Sequence, residues 1–213
     1  HLRDPNRNNT HGRIYRITYE GRPLLKAPKI DGQSIEKLLE LLKLPENGTR
    51  ELAKVELEKH DPAKVIAAVN KWVAKLDKKD PAYEHHMMEA LWVHQWQNVV
   101  NVDLLKRMLR SPESNARAAA TRVLCYWRDR VSDVLPLLAV QAEDESPRVR
   151  LEAVRAASFF ETAAAADVAL ASLKKEPTDY YLDYTLGETM KQLEKYWRKT
   201  IAEGKAIAAD NAP

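Results

Sequence analysis

The sequence predicts an all-α chain: a solenoid of about five stacked helix pairs, preceded by an extended N-terminal arm with one short strand. Three observations carry this. None of the six glycines lies between Gly48 and Gly187, and a glycine-free stretch rich in Ala, Leu, Glu, Lys and Arg favours helix. Capping residues followed by proline recur at helix starts, as in Asp61-Pro62, Asp80-Pro81 and Ser146-Pro147. A short pattern of arginine and small residues returns at a nearly constant interval. The expected organisation is an arm over 1–30, a solenoid over 31–200 and a tail or linker over 201–213.

The arm differs from the rest. Residues 1–30 hold seven basic residues against Asp4 and Glu20, a balance of +5; the other 27 basic and 29 acidic residues give −2. "RDPNRNNTHG" is turn-forming. "RIYRITY" alternates Ile14, Arg16 and Thr18 against Tyr15, Ile17 and Tyr19, which reads as a strand. No later segment looks like its partner, and an unpaired strand leaves its backbone groups unsatisfied.

From Ser34 onward the pattern is helical. Ser34 caps a helix with Ile35, Leu38, Leu39 and Leu42 on one face. Leu44–Gly48 breaks it, and the next helix is expected to turn Leu52, Val55 and Leu57 inward. Asp61-Pro62 opens a helix with Val65, Val69, Trp72, Val73 and Leu76 in one stripe. Asp80-Pro81 opens another through Met87, Met88, Leu91 and Trp92. Further starts fall near Asp103, Ser114, Ser132, Ser146, Thr162 and Asp179. Short connections between helices of roughly 10–17 residues suggest antiparallel pairs.

"ARAAATRVL" laid over "VRLEAVRAA" matches Arg117 to Arg150, Ala120 to Ala153 and Arg122 to Arg155. "TRELAKVEL" fits the same frame with Arg50 and Ala53, "HMMEALWV" with Ala90, and "LDYTLGETM" with Leu186. The anchors 53, 90, 120, 153 and 186 are spaced 37, 30, 33 and 33, and self-similarity at such a period signals a solenoid of helix pairs. The small residue lets neighbouring helices approach. Arg148, Glu152 and Arg155 are expected to form an ion-pair ladder on the surface.

"DESPRVRLEAVRAA" resembles a HEAT repeat: Asp144, Pro147, Val149 and Arg150 fit that family's Asp, Pro and Val-Arg pattern. The resemblance implies that the Asp and Arg bond adjacent repeats together. The Arg117 repeat has Ser111 in place of the Asp, and the His86 repeat lacks both Pro and Arg. A wider resemblance rests on "HLRDPNRNNTHGRIYRITYEGRPLL", "YEHHMMEALWVHQW", "RAAATRVLCYWRDRV" and "PTDYYLDYTLGETM". These are similar to planctomycete-type membrane-bound dehydrogenase-domain proteins. In that family a sugar-dehydrogenase-like β-propeller precedes HEAT repeats, and a c-type cytochrome domain commonly follows. The resemblance implies an extracytoplasmic, periplasmic or secreted, multidomain parent, with "THGRIYRITY" as the end of the propeller.

Other classes are harder to accommodate. No run reaches the ~18–20 apolar residues of a membrane span. The single cysteine, Cys125, forms no intrachain disulfide, haem attachment or zinc pair, and is expected to be a buried apolar thiol. The chain begins at His1, so a processed product or excised piece is expected. His86 and His94 are eight residues apart, ~12 Å along a helix, too far to share a metal. His85 and Glu89 could share one, but two ligands make a poor site. No nucleophile with a base is evident, so no catalytic residue, cofactor or metal site is assigned.

The aromatics are the remaining candidates. Trp92, Trp96, Tyr126, Trp127, Tyr180, Tyr181 and Tyr184 could line a concave solenoid face if exposed, although aromatics at helical spacing more often sit in the core. The expected function is a non-catalytic scaffold or interaction module. Its partners would be adjacent domains of the same polypeptide or another protein. A free-standing peptide- or glycan-binding platform is the alternative. A helical-repeat enzyme on nucleic acid, similar to the alkylpurine glycosylases, would need a basic groove, and the −2 body argues against nucleic acid.

Overall fold

A computed structural model describes residues 5, 6, 10, 12 and 15–208. Among these residues there are eleven α-helices: α1 (Ile35–Leu41), α2 (Asn47–Glu58), α3 (Pro62–Ala74), α4 (Tyr83–Trp96), α5 (Val102–Met108), α6 (Ser114–Tyr126), α7 (Val134–Ala142), α8 (Pro147–Ala157), α9 (Ala163–Ala171), α10 (Tyr180–Gln192) and α11 (Glu194–Ala202). A 3₁₀ turn, Ser172–Lys174, follows α9.

Local chemistry sets several starts. The Lys37 N–H donates to Ser34 Oγ and the Ala63 N–H to Asp61 Oδ1. The Leu104 N–H donates to Asn101 Oδ1 and the Leu182 N–H to Asp179 Oδ1. Each bond satisfies a donor that the first helical turn leaves free. Asp80 acts one turn early: it accepts the Ala82 N–H, and α4 begins at Tyr83.

The helices form two layers. The even-numbered helices run α2–α4–α6–α8–α10, each against the next; each odd-numbered helix from α1 to α9 packs on the even helix that follows it, and α11 packs on α9 and α10. The layers meet over one core that includes Leu38, Leu57, Val69, Leu91, Leu105, Leu124, Leu138, Val154 and Leu182. Burying each such side chain contributes ~1.5–3 kcal/mol. Ala53, Ala90, Ala120 and Ala153 are fully buried between helices, whereas Leu186 is half-buried on the last even helix.

Three expectations are corrected. Residues 15–19 form no strand, and Tyr15, Ile17 and Tyr19 are exposed; no second strand is present among the described residues to satisfy the backbone. Arg13 and Ile14 lie outside the described residues. Leu52 and Val55 point to solvent, while Ala53, Lys54 and Leu57 face the core, because the Arg50–Ala53 frame sets the rotation of α2. Glu152 is buried and pairs with Arg122 and Arg155, so the ladder at Ser146–Phe160 is not a surface one. A separate helix, α11, follows α10 and extends to Ala202, and the Ala208 N–H then donates to Asp167 Oδ1 on α9.

Candidate functional site

Three equivalent arginines fix the spacing of the even helices. Arg117 donates one amino group to the Ser111 and Pro112 carbonyls, 2.8 and 3.2 Å. Its remaining donors reach Asp144 at 2.6 and 2.9 Å. Arg150, 33 residues on and 0% exposed, donates to the Asp144 and Glu145 carbonyls and then to the Pro177 carbonyl. Arg50 donates to the Leu44 and Pro45 carbonyls and to Glu89, 2.9 Å away. Each guanidinium ties its own interhelical turn to the following repeat, a task that suits a rigid planar fork of donors. Pro147 takes the first position of α8, and the Ser146 N–H before it donates to Asp144.

The α4 repeat has no such arginine. There Glu84 accepts from Arg107 and from Ser111 Oγ, so Ser111 stands in for the missing Asp by binding a carboxylate from the preceding repeat.

These clamps hold α4, α6 and α8 around a groove of about 470 Å³ lined by Trp92, Gln95, Asn115, Ala119, Arg122 and Arg148, with Glu152 in its wall. Small residues on α6, Ala118 and Ala119, make the floor. Trp92 is half-buried, with the Lys54 ammonium 5.1 Å from its ring centroid. Arg122 donates to Glu152 at 3.2 Å through Nε, and Arg155 Nε lies 3.5 Å from the same carboxylate. Hydrogen bonding to Glu152 raises the Arg122 pKa further above its ordinary value, against the opposing effect of burial.

One turn beyond the groove is an aromatic row. Adding six to the anchors 90, 120 and 153 gives Trp96, Tyr126 and Phe159. All three are exposed. The Arg128 and Arg155 guanidinium groups lie 4.9 and 5.8 Å from the Phe159 centroid, within cation–π range. Phe159 was missed in the sequence, although the same frame that aligned Arg122 with Arg155 also reaches it. Gln95 and Asn115 carry no pattern that would single them out.

The other candidates separate. Trp127 is 1% exposed and belongs to the core, because one further residue turns the side chain ~100° from that of Tyr126. Tyr181 occupies the frame position of Asn115 and Arg148, on α10. Tyr180 and Tyr184 are exposed on α10 away from the groove.

Cys125, His86 and His94 are buried, whereas His85 is exposed. Burial pushes the Cys125 thiol up, which disfavours the thiolate. Burial lowers the pKa of His85, His86 and His94. Glu89, 3.5 Å from His85 Nε2, is held by Lys54 at 2.9 Å as well as by Arg50. No group of three potential ligands suited to a metal occurs among the described residues. No described helix is long and apolar enough to cross a membrane.

Comparison with known families adds one finding: residues 101–183 match the family model for HEAT repeats. This part of the chain is similar to a HEAT-repeat region. It spans α5 to the start of α10, and so contains both joints clamped by Arg117 and Arg150. The HEAT match also takes in α6 and α8, two of the three helices around the groove. No curated protein and no solved structure matches the chain.

Proposed function

We propose that the chain is a non-catalytic scaffold whose face across α4, α6 and α8 docks a segment of a neighbouring domain in a larger extracytoplasmic polypeptide. The carrying observation is the register of Trp96, Tyr126 and Phe159. Trp96 and Tyr126 end α4 and α6, and Phe159 lies in the turn just after α8; all three are exposed, and aromatic anchors beside arginine are the residues that dominate protein interfaces. HEAT repeats are helical-repeat modules suited to interaction. Read as five pairs, α1–α2 to α9–α10, the stack would hold flanking domains at a set separation. The resemblance of the arm to a propeller end and of the whole to dehydrogenase-domain proteins supports an extracytoplasmic, redox-linked setting. Any redox chemistry would then lie in those flanking domains. The groove gives the nucleic-acid reading little support, because Arg122 and Arg155 are already paired with Glu152.

A photoreactive benzoylphenylalanine placed at Tyr126 tests docking in the native polypeptide, with the outward Val140 as control. The reading expects one defined crosslink from position 126, to a mapped segment of an adjacent domain, and none from 140. Equal, diffuse labelling from both positions would sink it. A single crosslink to a separate peptide would move the free-standing binding platform to first place.

A further inference from the structure

The even layer carries a row of carboxylates with a gap in it. One residue before the anchors stand Glu89 on α4, Ala119 on α6 and Glu152 on α8, and Leu52 and Thr185 end the row on α2 and α10. Glu89 and Glu152 are 1% and 3% exposed, and each is held by two cations. Arg50 and Lys54 hold Glu89; Arg122 and Arg155 hold Glu152. A buried carboxylate needs such partners. Ala119 supplies only a methyl group, and the groove opens above it.

The groove also has a cation in excess. Its lining carries Arg122, Arg148 and Glu152, and Arg122 is committed to Glu152. Arg148 is exposed, and its side chain has no hydrogen bond or ion pair among the described residues. The acids nearest to it in sequence are engaged elsewhere, Asp144 with Arg117 and Glu145 with Lys175, and Glu113 lies outside the lining. The side chains of Gln95 and Asn115, both in the lining, are likewise without a partner among the described residues. Trp92, Ala118 and Ala119 give the same groove an apolar part.

We infer that the segment docked on α4, α6 and α8 is acidic: it lays an Asp or Glu carboxylate on Arg148 above Ala119, and an adjoining apolar side chain against Trp92. The inference rests on the docking reading and names the chemistry of the occupant. A guanidinium and a carboxylate form a short, charge-assisted pair, and the walls of a groove strengthen it relative to open water. The incoming carboxylate fills the position that Glu89 and Glu152 fill on the neighbouring helices, with Asn115 and Gln95 as further donors. A lysine-rich segment would bring a second cation to Arg148 and be rejected on charge.

The benzoylphenylalanine crosslink from position 126 of the native polypeptide provides the test, read by mass mapping and by yield. The expected peptide holds an Asp or Glu beside an apolar residue. Arg148→Glu should lower the yield ~10-fold or more, as loss of a paired charge at an interface does, while the helical circular dichroism and melting temperature stay unchanged. Ala119→Glu should lower it too, because the row then supplies its own carboxylate. Changing the mapped acid to Lys should restore the crosslink in the Arg148→Glu background. A defined crosslink to a segment without an acid overturns the inference and leaves docking standing, as does a yield indifferent to both Arg148→Glu and Ala119→Glu. A crosslink to nucleic acid also overturns it. Diffuse labelling from the unsubstituted groove removes the docking reading and the inference together.

Discussion

At the joint between α6 and α8, Arg117 meets Asp144 at the edge of solvent, their side chains 19% and 11% exposed. At the joint between α2 and α4, Arg50 and Lys54 meet Glu89 in the interior, and the Glu89 side chain is 1% exposed. The two joints hold neighbouring even helices in the same relation. The first uses the spacing and residues of the HEAT pattern; the second uses an ion cluster of Arg50, Lys54, Glu51 and Glu89 with spacing 37 where the pattern has 33. Residues 101–183 match the family model, and they include only the first kind of joint. Packing requires a close approach and a satisfied turn, and more than one set of side chains provides both.

The comparison breaks hardest at Glu89. Glu89→Ala removes the buried counter-ion of Lys54, itself almost fully buried, and leaves it only the half-exposed Glu51 at 2.9 Å; breaking a buried pair costs up to ~3–5 kcal/mol, and the loss should exceed that of Asp144→Ala. Asp144→Ala leaves Arg117 close enough to water to rehydrate, so the loss there should be about 1–2 kcal/mol. Urea denaturation of both variants decides the matter. Equal losses would show that burial does not separate the joints.

Arg150 comes next. Its three carbonyl contacts bridge the turn before α8 to the segment before α10, and its charge is fully buried. Arg150→Ala should cost about 3 kcal/mol, since hydrogen bonds to a charged group contribute ~1.5–3 kcal/mol. Arg150→Lys should recover less than half, because an ammonium cannot span the same fork. Thermal melts of the two variants provide the measurement.

Acid gives a smaller, graded effect that also separates the halves. Burial lowers the pKa of His86 and His94 below the ordinary 6.5, so both fold neutral. The unfolded chain binds their protons first, and this part of the stability is complete above pH 6.5 and lost as the pH falls below it. For Asp144, burial acts to raise the pKa, but the Arg117 and Ser146 hydrogen bonds outweigh it and hold the carboxyl below its ordinary 3.8. Its contribution is present above that value and is lost only at lower pH. Melting temperature against pH should therefore fall in two limbs, and His94→Gln should flatten the first alone.

The helices were legible because caps, prolines and the 3.6 period are local. Ser34, Asp61 and Asp179 accept the N–H bonds their positions implied. The alignment of Arg117 with Arg150 located the recurring clamp. What could not be read was rotation and partnership. Leu52 is apolar and sits in an apolar stripe, yet it faces solvent, because the buried face of α2 is taken up by Ala53, Leu57 and the Lys54 ion pair. Trp127 and Tyr126 are neighbours in sequence with opposite fates. The repeat pattern implies that Arg150 bonds adjacent repeats, but the carbonyls it serves could not be read, because they come from turns up to 27 residues away.

The smallest effect on stability belongs to the aromatic row, and that is what makes it informative. Trp96, Tyr126 and Phe159 are exposed, and replacing exposed side chains usually changes stability by less than ~0.5 kcal/mol. The triple alanine variant should therefore melt within a few degrees of the wild type, and alanine at Trp96 and Phe159 with the photoreactive residue kept at 126 should lose the crosslink. Trp72 and Trp127, both buried, set the contrast: alanine at either should cost ~3–5 kcal/mol. If the exposed triple instead destabilises like a core variant, these rings are packing residues and the docking surface loses its anchors. If alanine at Trp96 and Phe159 is neutral to both folding and crosslinking from position 126, the groove wall formed by Trp92 and Arg122 is left to carry recognition without the row.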